Sequence, residues 1–302
     1  MDGYITNETC IIFGPKYAKP LSPELLSQAN YKKIIFSDCK LDDGLFEKYE
    51  KYETLENDGF LRSWLVYSHF NQSLGNALNN CKSLTHIIFG ACFNKPLGNS
   101  LNNCTALTHL TFGNNFNHHL GNSLVVCTEL THLTFDYWFD CPLGDSLVVC
   151  TALTHIVFNA HFNQPLGNSL DNCPLLVHIG LGHCFNQKLD LLPNVRSLNL
   201  NCNTLHCIDY LPVTIEEIEL GEYFNLELCN LPSSIKKIIF YKGCKYNKAL
   251  NCLPNGLEYL QLPIKYDKQI QNIPRGLSIL VCSKNYPFVN DFSDMEIKVE
   301  TY

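Results

Sequence analysis

Charge is scarce in this chain: Asp, Glu, Lys and Arg make up 17% of 302 residues, and the formal net charge is -7. With so few charges, the surface must be covered largely by Asn, Thr, Ser, Gln and His. That net charge argues against a phosphate-gripping surface, and so against nucleic acid as a partner, because nucleic-acid binders normally show a basic face or stripe. No apolar run is long enough to span a bilayer, which argues against a membrane protein. The start, MDGYITNETC, lacks the basic segment and apolar run of a secretory signal. The expectation is an intracellular protein, in the cytoplasm of its host or source cell. HExxH, a Walker loop and GxSxG are all missing, and with them the commonest signatures of zinc proteases, nucleotide hydrolases and α/β-hydrolases. Disorder is excluded by an apolar content of 46%.

What the chain does have is repetition. Cys81, Cys104, Cys127, Cys150 and Cys173 recur every 23 residues, as do Leu84, Leu107, Leu130, Leu153 and Leu176. The same period carries His86, His109, His132, His155 and His178, the aromatics Phe70, Phe93, Phe116, Phe139, Phe162 and Phe185, and the glycines Gly75, Gly98, Gly121, Gly144 and Gly167. A strict period in the twenties means stacked units, each too small to bury its apolar face alone. LTHLTFGNN at 107–115 and VRSLNLNCN at 195–203 fit the strand-and-turn pattern LxxLxLxxN of a leucine-rich repeat. Alternation along such a strand points Leu107, Leu110 and Phe112 inward and His109, Thr111 and Gly113 outward. Gly121 and Asn122 suit the turn that follows.

The fold expected is therefore β-rich α/β: a leucine-rich-repeat-like right-handed solenoid of about thirteen repeats of about 20–23 residues, with one parallel sheet on its concave face. One repeat domain would fill residues 1–302. Its parts would be N-terminal repeats at 11–40, an inserted acidic helix at 41–60, regular repeats at 61–190, shorter Leu-Pro repeats at 191–282 and a C-terminal cap at 283–302. In the insert, Leu45, Tyr49, Tyr52 and Leu55 fall at helical spacing.

The strings FNQSLGNAL, FNKPLGNSL, FNQPLGNSL and FNLELCNLPSSIKKIIF, with LTHLTFG, closely resemble the FNIP repeat, a leucine-rich-repeat relative found in social amoebae and in giant viruses that infect amoebae. The resemblance spans nearly the whole chain and implies protein binding. Many members of that family carry an F-box that docks a ubiquitin ligase. Here the only similar string is LSPELL at 21–26, between strands ending at Phe13 and Phe36, which leaves no room for the several helices an F-box needs.

Most motifs reduce to packing. GDSL at 144–147 looks like a lipase nucleophile string with Ser146 in the nucleophile position. The same slot reads GNSL in other rows, so Ser146 is a turn residue, and no catalytic cluster is expected. The His column offers no four converging ligands, so neither metal nor cofactor is expected. Neighbouring imidazoles should nevertheless repel once protonated, lowering stability below about pH 6.5. The cysteines, 16 in all, read as free thiols in a chain without a signal peptide, with the Cys column buried as small hydrophobes. Asn71, Asn94, Asn117, Asn163, Asn186, Asn225 and Asn247 should tie each turn's backbone to the next.

Partner contacts are sought where outward positions depart from the consensus. Ile12, Ile35, Leu65 and Ile88 form an apolar ribbon, either a contact surface or a face covered by the inserted helix. The outward positions His109, Thr111, His132, Thr134 and His155 continue the strand face, and Asp136, Tyr137 and Trp138 break the pattern with aromatics beside acids. Trp138 could equally fill the core. Glu216, Glu217, Glu219 and Glu222 stand opposite Lys236, Lys237 and Lys242, a pattern for cross-strand pairing. The function expected is a non-enzymatic scaffold binding a protein partner, with substrate recognition in a ubiquitin-related pathway as its extension. The alternative is a structural or self-associating protein, such as a virus particle component.

Overall fold

The computed structural model describes residues 4–27, 30–37, 68–189, 192, 194–202 and 211–302. The inserted helix expected at 41–60 and Leu65 lie outside them. The chain divides into two compact units, residues 1–159 with 168–175, and residues 160–167 with 176–302.

The first unit opens with a hairpin. β1 (Tyr4–Thr6) runs antiparallel to β2 (Cys10–Phe13) with Ile5 opposite Ile12. Asn7 makes the turn, its side-chain oxygen accepting from the amides of Thr9 at 3.0 Å and Cys10 at 2.8 Å. A short helix, α1 (Pro23–Ser27), follows. Ser22 caps it by accepting from the Leu25 amide at 3.3 Å, and Pro23 takes the first helical position, where a missing N–H costs nothing. LSPELL is thus a single helical turn between two sheet strands.

From β2 the strands run parallel, one per row: β3 (Lys33–Phe36), β4 (His86–Ile88), β5 (His109–Thr111), β6 (His132–Phe135) and β7 (His155–Phe158). In the second unit β8 (His178–Leu181), β9 (Ser197–Leu200), β10 (Glu217–Leu220), β11 (Lys237–Phe240), β12 (Tyr259–Gln261), β13 (Ile279–Cys282) and β14 (Lys298–Thr301) pair in the same way. The result is a parallel β-solenoid with a repeat of about 22 residues and little helix. The sequence count of about thirteen placed a row through Leu65, whereas β3 pairs directly with β4, and the further parallel strand is β14 at the other end. Phe36 stacks on Phe70 at 4.1 Å as Phe89 stacks on Phe93 at 4.0 Å, so Phe70 serves the row of β3 as Phe93 serves that of β4.

The columns seen in the sequence are the core. Leu84, Leu107, Leu130 and Leu153 are fully buried, and the Phe column forms a continuous stack in which Phe89, Phe112 and Phe135 lie 5.3–5.5 Å apart. The Cys column fills the return side. Burial, joined by the neighbouring thiols, pushes Cys104 and Cys150 up to about 12, and burial alone pushes Cys127 and Cys173 up to about 11. Buried thiols of this kind stay protonated and inert. Gly121 carries the turn at φ +52°, with open space where a Cβ would stand, whereas a Cβ on Gly113 would come within 2.3 Å of the Gly90 carbonyl oxygen. The first glycine is there for its backbone angle and the second for close approach of successive rows.

In the second unit tyrosines enter the aromatic column, and their hydroxyls must be satisfied. Tyr266 donates to the Lys248 carbonyl at 3.1 Å and Tyr286 to that of Lys268 at 2.8 Å. The Tyr246 hydroxyl is buried without a partner, and burial holds it well above its ordinary range. Two similar-looking substitutions therefore have opposite outcomes. Tyr246→Phe removes an unsatisfied group and should leave stability unchanged or raise it by about 1 kcal/mol, while Tyr286→Phe strands a carbonyl and should lower it by about 1 kcal/mol. Thermal melts of the two variants that moved in the same direction would refute this.

Candidate functional site

On the first unit the outward strand positions form two columns. One runs Cys10, Lys33, His86, His109, His132, His155, and the other Ile12, Ile35, Ile88, Thr111, Thr134, Val157. The apolar start of the second column is not a free surface. Cys10, Ile12 and Ile35 are buried together, with Ile5 and Ile88 packed against them. Ile35, read from sequence as a contact candidate, is thus withdrawn from solvent, and Ile88 is half-buried.

The His column is held by a repeated bonding unit. Thr108 donates its hydroxyl to the Thr85 carbonyl at 3.1 Å, and its oxygen lies 2.8 Å from His109 Nδ1. Thr131 and His132, then Thr154 and His155, repeat the arrangement. A threonine hydroxyl has one proton, already given to a carbonyl, so each imidazole must donate from Nδ1, which fixes the neutral tautomer and the ring's orientation. The rings stack face to face, His86 on His109 at 4.2 Å, His109 on His132 at 4.3 Å and His132 on His155 at 4.5 Å. Stacked rings hold their lone pairs parallel rather than converging, a poor arrangement for a metal. Among the described residues no three His, Cys, Asp or Glu side chains gather as ligands.

This geometry gives a pH dependence. Protonating two adjacent rings of the column places like charges about 4.2–4.5 Å apart, a repulsion of about 1 kcal/mol per pair at the dielectric of water that the unfolded chain escapes. In the second unit burial, and next His161, hold His183 below its ordinary value of 6.5. A depressed folded pKa means that the unfolded chain binds more protons over that interval, so stability is complete above 6.5 and falls as pH drops through the folded value. Denaturation midpoints should hold level from pH 7.5 to about 6.5 and decline from there to pH 5. A flat profile would count against both effects.

Beyond β6 the row departs from its neighbours. Tyr137 is 40% and Trp138 49% exposed, their rings edge to face at 5.0 Å. Phe139 takes the core position, so Trp138 does not fill the core. The Trp138 amide donates to the Asn114 carbonyl at 2.9 Å, fixing the backbone under the pair. Asp136 turns along the ladder, its carboxylate accepting from Asn159 at 3.1 Å. Asn71, Asn94 and Asn117 act as the sequence indicates: Asn71 accepts from the Asn94 amide at 2.9 Å, Asn94 from Asn117 at 3.1 Å and Asn117 from Asp140 at 3.0 Å. Asn163 accepts from Asn186 at 2.8 Å in the second unit. Ser146 sits nearly buried in the turn made by Gly144 at φ +52°, equivalent to Ser100 and Ser123, which is a turn's geometry rather than a nucleophile's.

Two features lie off the strand face. Val125 and Val148 are 52% and 51% exposed on successive return segments. Sequence reasoning confined to the strand face passes over them, although SLVVC standing where another row has SLNNC is the signal. In the second unit Arg196 and Lys236 both pair with Glu216, at 2.6 and 3.3 Å, and Lys237 pairs with Glu217 at 2.8 Å. Lys236 foremost, with Arg196, holds the Glu216 carboxyl below its usual range. These exposed pairs set register and add little stability. No helix among the described residues is long and apolar enough to cross a membrane.

Comparison with curated proteins gives no match. Among solved structures, the giant-virus protein CroV588, described as a novel circular LRR protein, is 25% identical with a TM-score of 0.55 over 94% of this chain. This chain spans 38% of that protein's length. An internalin from Listeria monocytogenes is 13% identical with a TM-score of 0.56, covering 97% of this chain and 81% of its own, a likeness of fold alone. The profile of the FNIP Repeat family matches residues 224–265. Within a leucine-rich-repeat-like β-solenoid, it is residues 224–265 that match the FNIP repeat.

Proposed function

We propose that the chain is a non-enzymatic scaffold that binds a protein partner on the outward strand face of its first unit, around His109, Thr111, His132, Thr134 and His155 and the adjoining Tyr137. The observation that carries this reading is the exposed Tyr137 and Trp138 pair, standing beside a strand face whose side chains are already locked by the Thr–His bonds. Large aromatics on a rigid backbone lose little entropy on binding and make strong anchors. Substrate recognition in a ubiquitin-related pathway is the extension of this role. The single turn of α1 supports recognition of a partner rather than docking of a ligase by this segment itself.

The test is affinity capture from amoeba lysate with mass spectrometry, comparing the native chain with a Thr111→Arg, Thr134→Arg variant and a Tyr137→Ala, Trp138→Ala variant. Both variants leave the core unchanged. A partner retained by the native chain and lost from both establishes the face. A partner retained equally by all three overturns the assignment. Self-association is the second reading, carried by the adjacent exposed Val125 and Val148. Sedimentation would show concentration-dependent association abolished by Val125→Lys, Val148→Lys, and a strict monomer rejects it.

A further inference from the structure

We propose that Cys229 and Cys252, on successive turns of the second unit, are a redox-responsive pair that closes into a disulfide by exchange with a small-molecule disulfide such as oxidised glutathione. Among the described cysteines these two alone are exposed, the others being buried or partly covered. They sit on successive turns whose strands pair 22 residues apart, Lys237 with Tyr259 and Ile238 with Leu260. The two turns correspond through Leu228 with Leu250 and Pro232 with Pro254, which places Cys252 one position beyond the counterpart of Cys229. The next turn shows the same diagonal contact, Asn272 reaching back to donate to the Asn251 carbonyl at 3.0 Å. Successive rows about 4.8 Å apart, offset by one residue, bring such positions to roughly 5–6 Å between Cα atoms, inside the range a disulfide spans.

The Cys column of the first unit provides a contrast within the molecule. Its thiols also stack row on row, but they are buried and held protonated. At the exposed pair, the bond to Cys252, followed by burial and the nearby charges of Cys252 and Glu227, keeps Cys229 above its ordinary range. The exchange balances in either order, and one order starts at Cys252. Its thiolate attacks one sulfur of oxidised glutathione and expels a glutathione thiolate, leaving a mixed disulfide. The Cys229 thiolate attacks the Cys252 sulfur and expels the second glutathione. The protein loses two electrons, the small disulfide gains them, and the two protons pass to the two glutathione thiols.

The experiment incubates the full chain with oxidised glutathione and follows intact mass, maleimide-reactive thiols and a non-reducing peptide map, with Cys229→Ser and Cys252→Ser alongside. The native chain should lose about 2 Da and two reactive thiols, carry no stable glutathione, and yield a peptide linking residues 229 and 252. Each single variant should instead retain one glutathione on its remaining thiol. Stable glutathione on both thiols of the native chain, or a cross-link between other cysteines, would overturn the proposal. Both serines fall at exposed positions, so the variants fold, and a circular dichroism spectrum matching the parent verifies it.

Discussion

Leu130→Asp is expected to open the middle rows of the first unit. Leu130 is fully buried in the column between Leu107 and Leu153, and neither neighbour offers a polar group to a carboxylate. A charge placed there must be dehydrated without a partner, take up a proton, or reach water by disrupting the turn. Each route costs several kcal/mol, about 4 or more, against a total stability of roughly 5–15 kcal/mol for a folded domain. Rows in a solenoid touch only their neighbours, so the loss should begin locally, with rows β5 to β7 exchanging their amides before the second unit unfolds. Hydrogen exchange read by mass spectrometry separates that order from global melting. Thr134→Arg, four residues on but facing outward, should exchange like the parent. If Leu130→Asp also behaves like the parent, Leu130 is not inside.

Why so much of the fold was legible follows from the same column. A 23-residue period leaves each residue type one environment, so Leu130 is buried for the reason that Leu107 is buried, and a single assignment propagates along the rows. The asparagine ladder, the buried thiols and the turn role of Ser146 were all legible because each recurs. Legibility falls where recurrence stops. Alternation places Ile12 and Ile35 on the outward side of their strands and cannot say that this side is buried, since burial there comes from packing across the sheet face. The row counted through Leu65 had plausible apolar spacing, while strand pairing, a contact between distant residues, joins β3 to β4. Trp138 was ambiguous because Phe139, its neighbour, is the residue of the core column. The candidate site is therefore half legible: its outward columns follow from the period, and its exposed aromatics only from the three-dimensional packing.

Phe112→Ala should cost about 3–5 kcal/mol, near the upper end for a single core truncation. The Phe112 ring meets Phe116 at 3.9 Å within its own row, Phe89 at 5.5 Å and Phe135 at 5.3 Å in the rows on either side, and all of these rings are buried. Removing it breaks the stack in both directions and leaves a void that the flanking rows, fixed by their strand hydrogen bonds, cannot close. Two effects contribute, the lost apolar volume and the lost ring-on-ring contact, and Phe112→Leu separates them. Leucine restores most of the volume without the flat face, so that variant should cost about 1–2 kcal/mol, the part due to stacking and shape. Urea denaturation gives both values. A leucine variant as unstable as the alanine one would mean that ring contact, rather than filled space, holds successive rows together. An alanine variant as stable as the leucine one would mean that the rows close over the gap, and that the Phe column is a consequence of the solenoid's stacking instead of its cause.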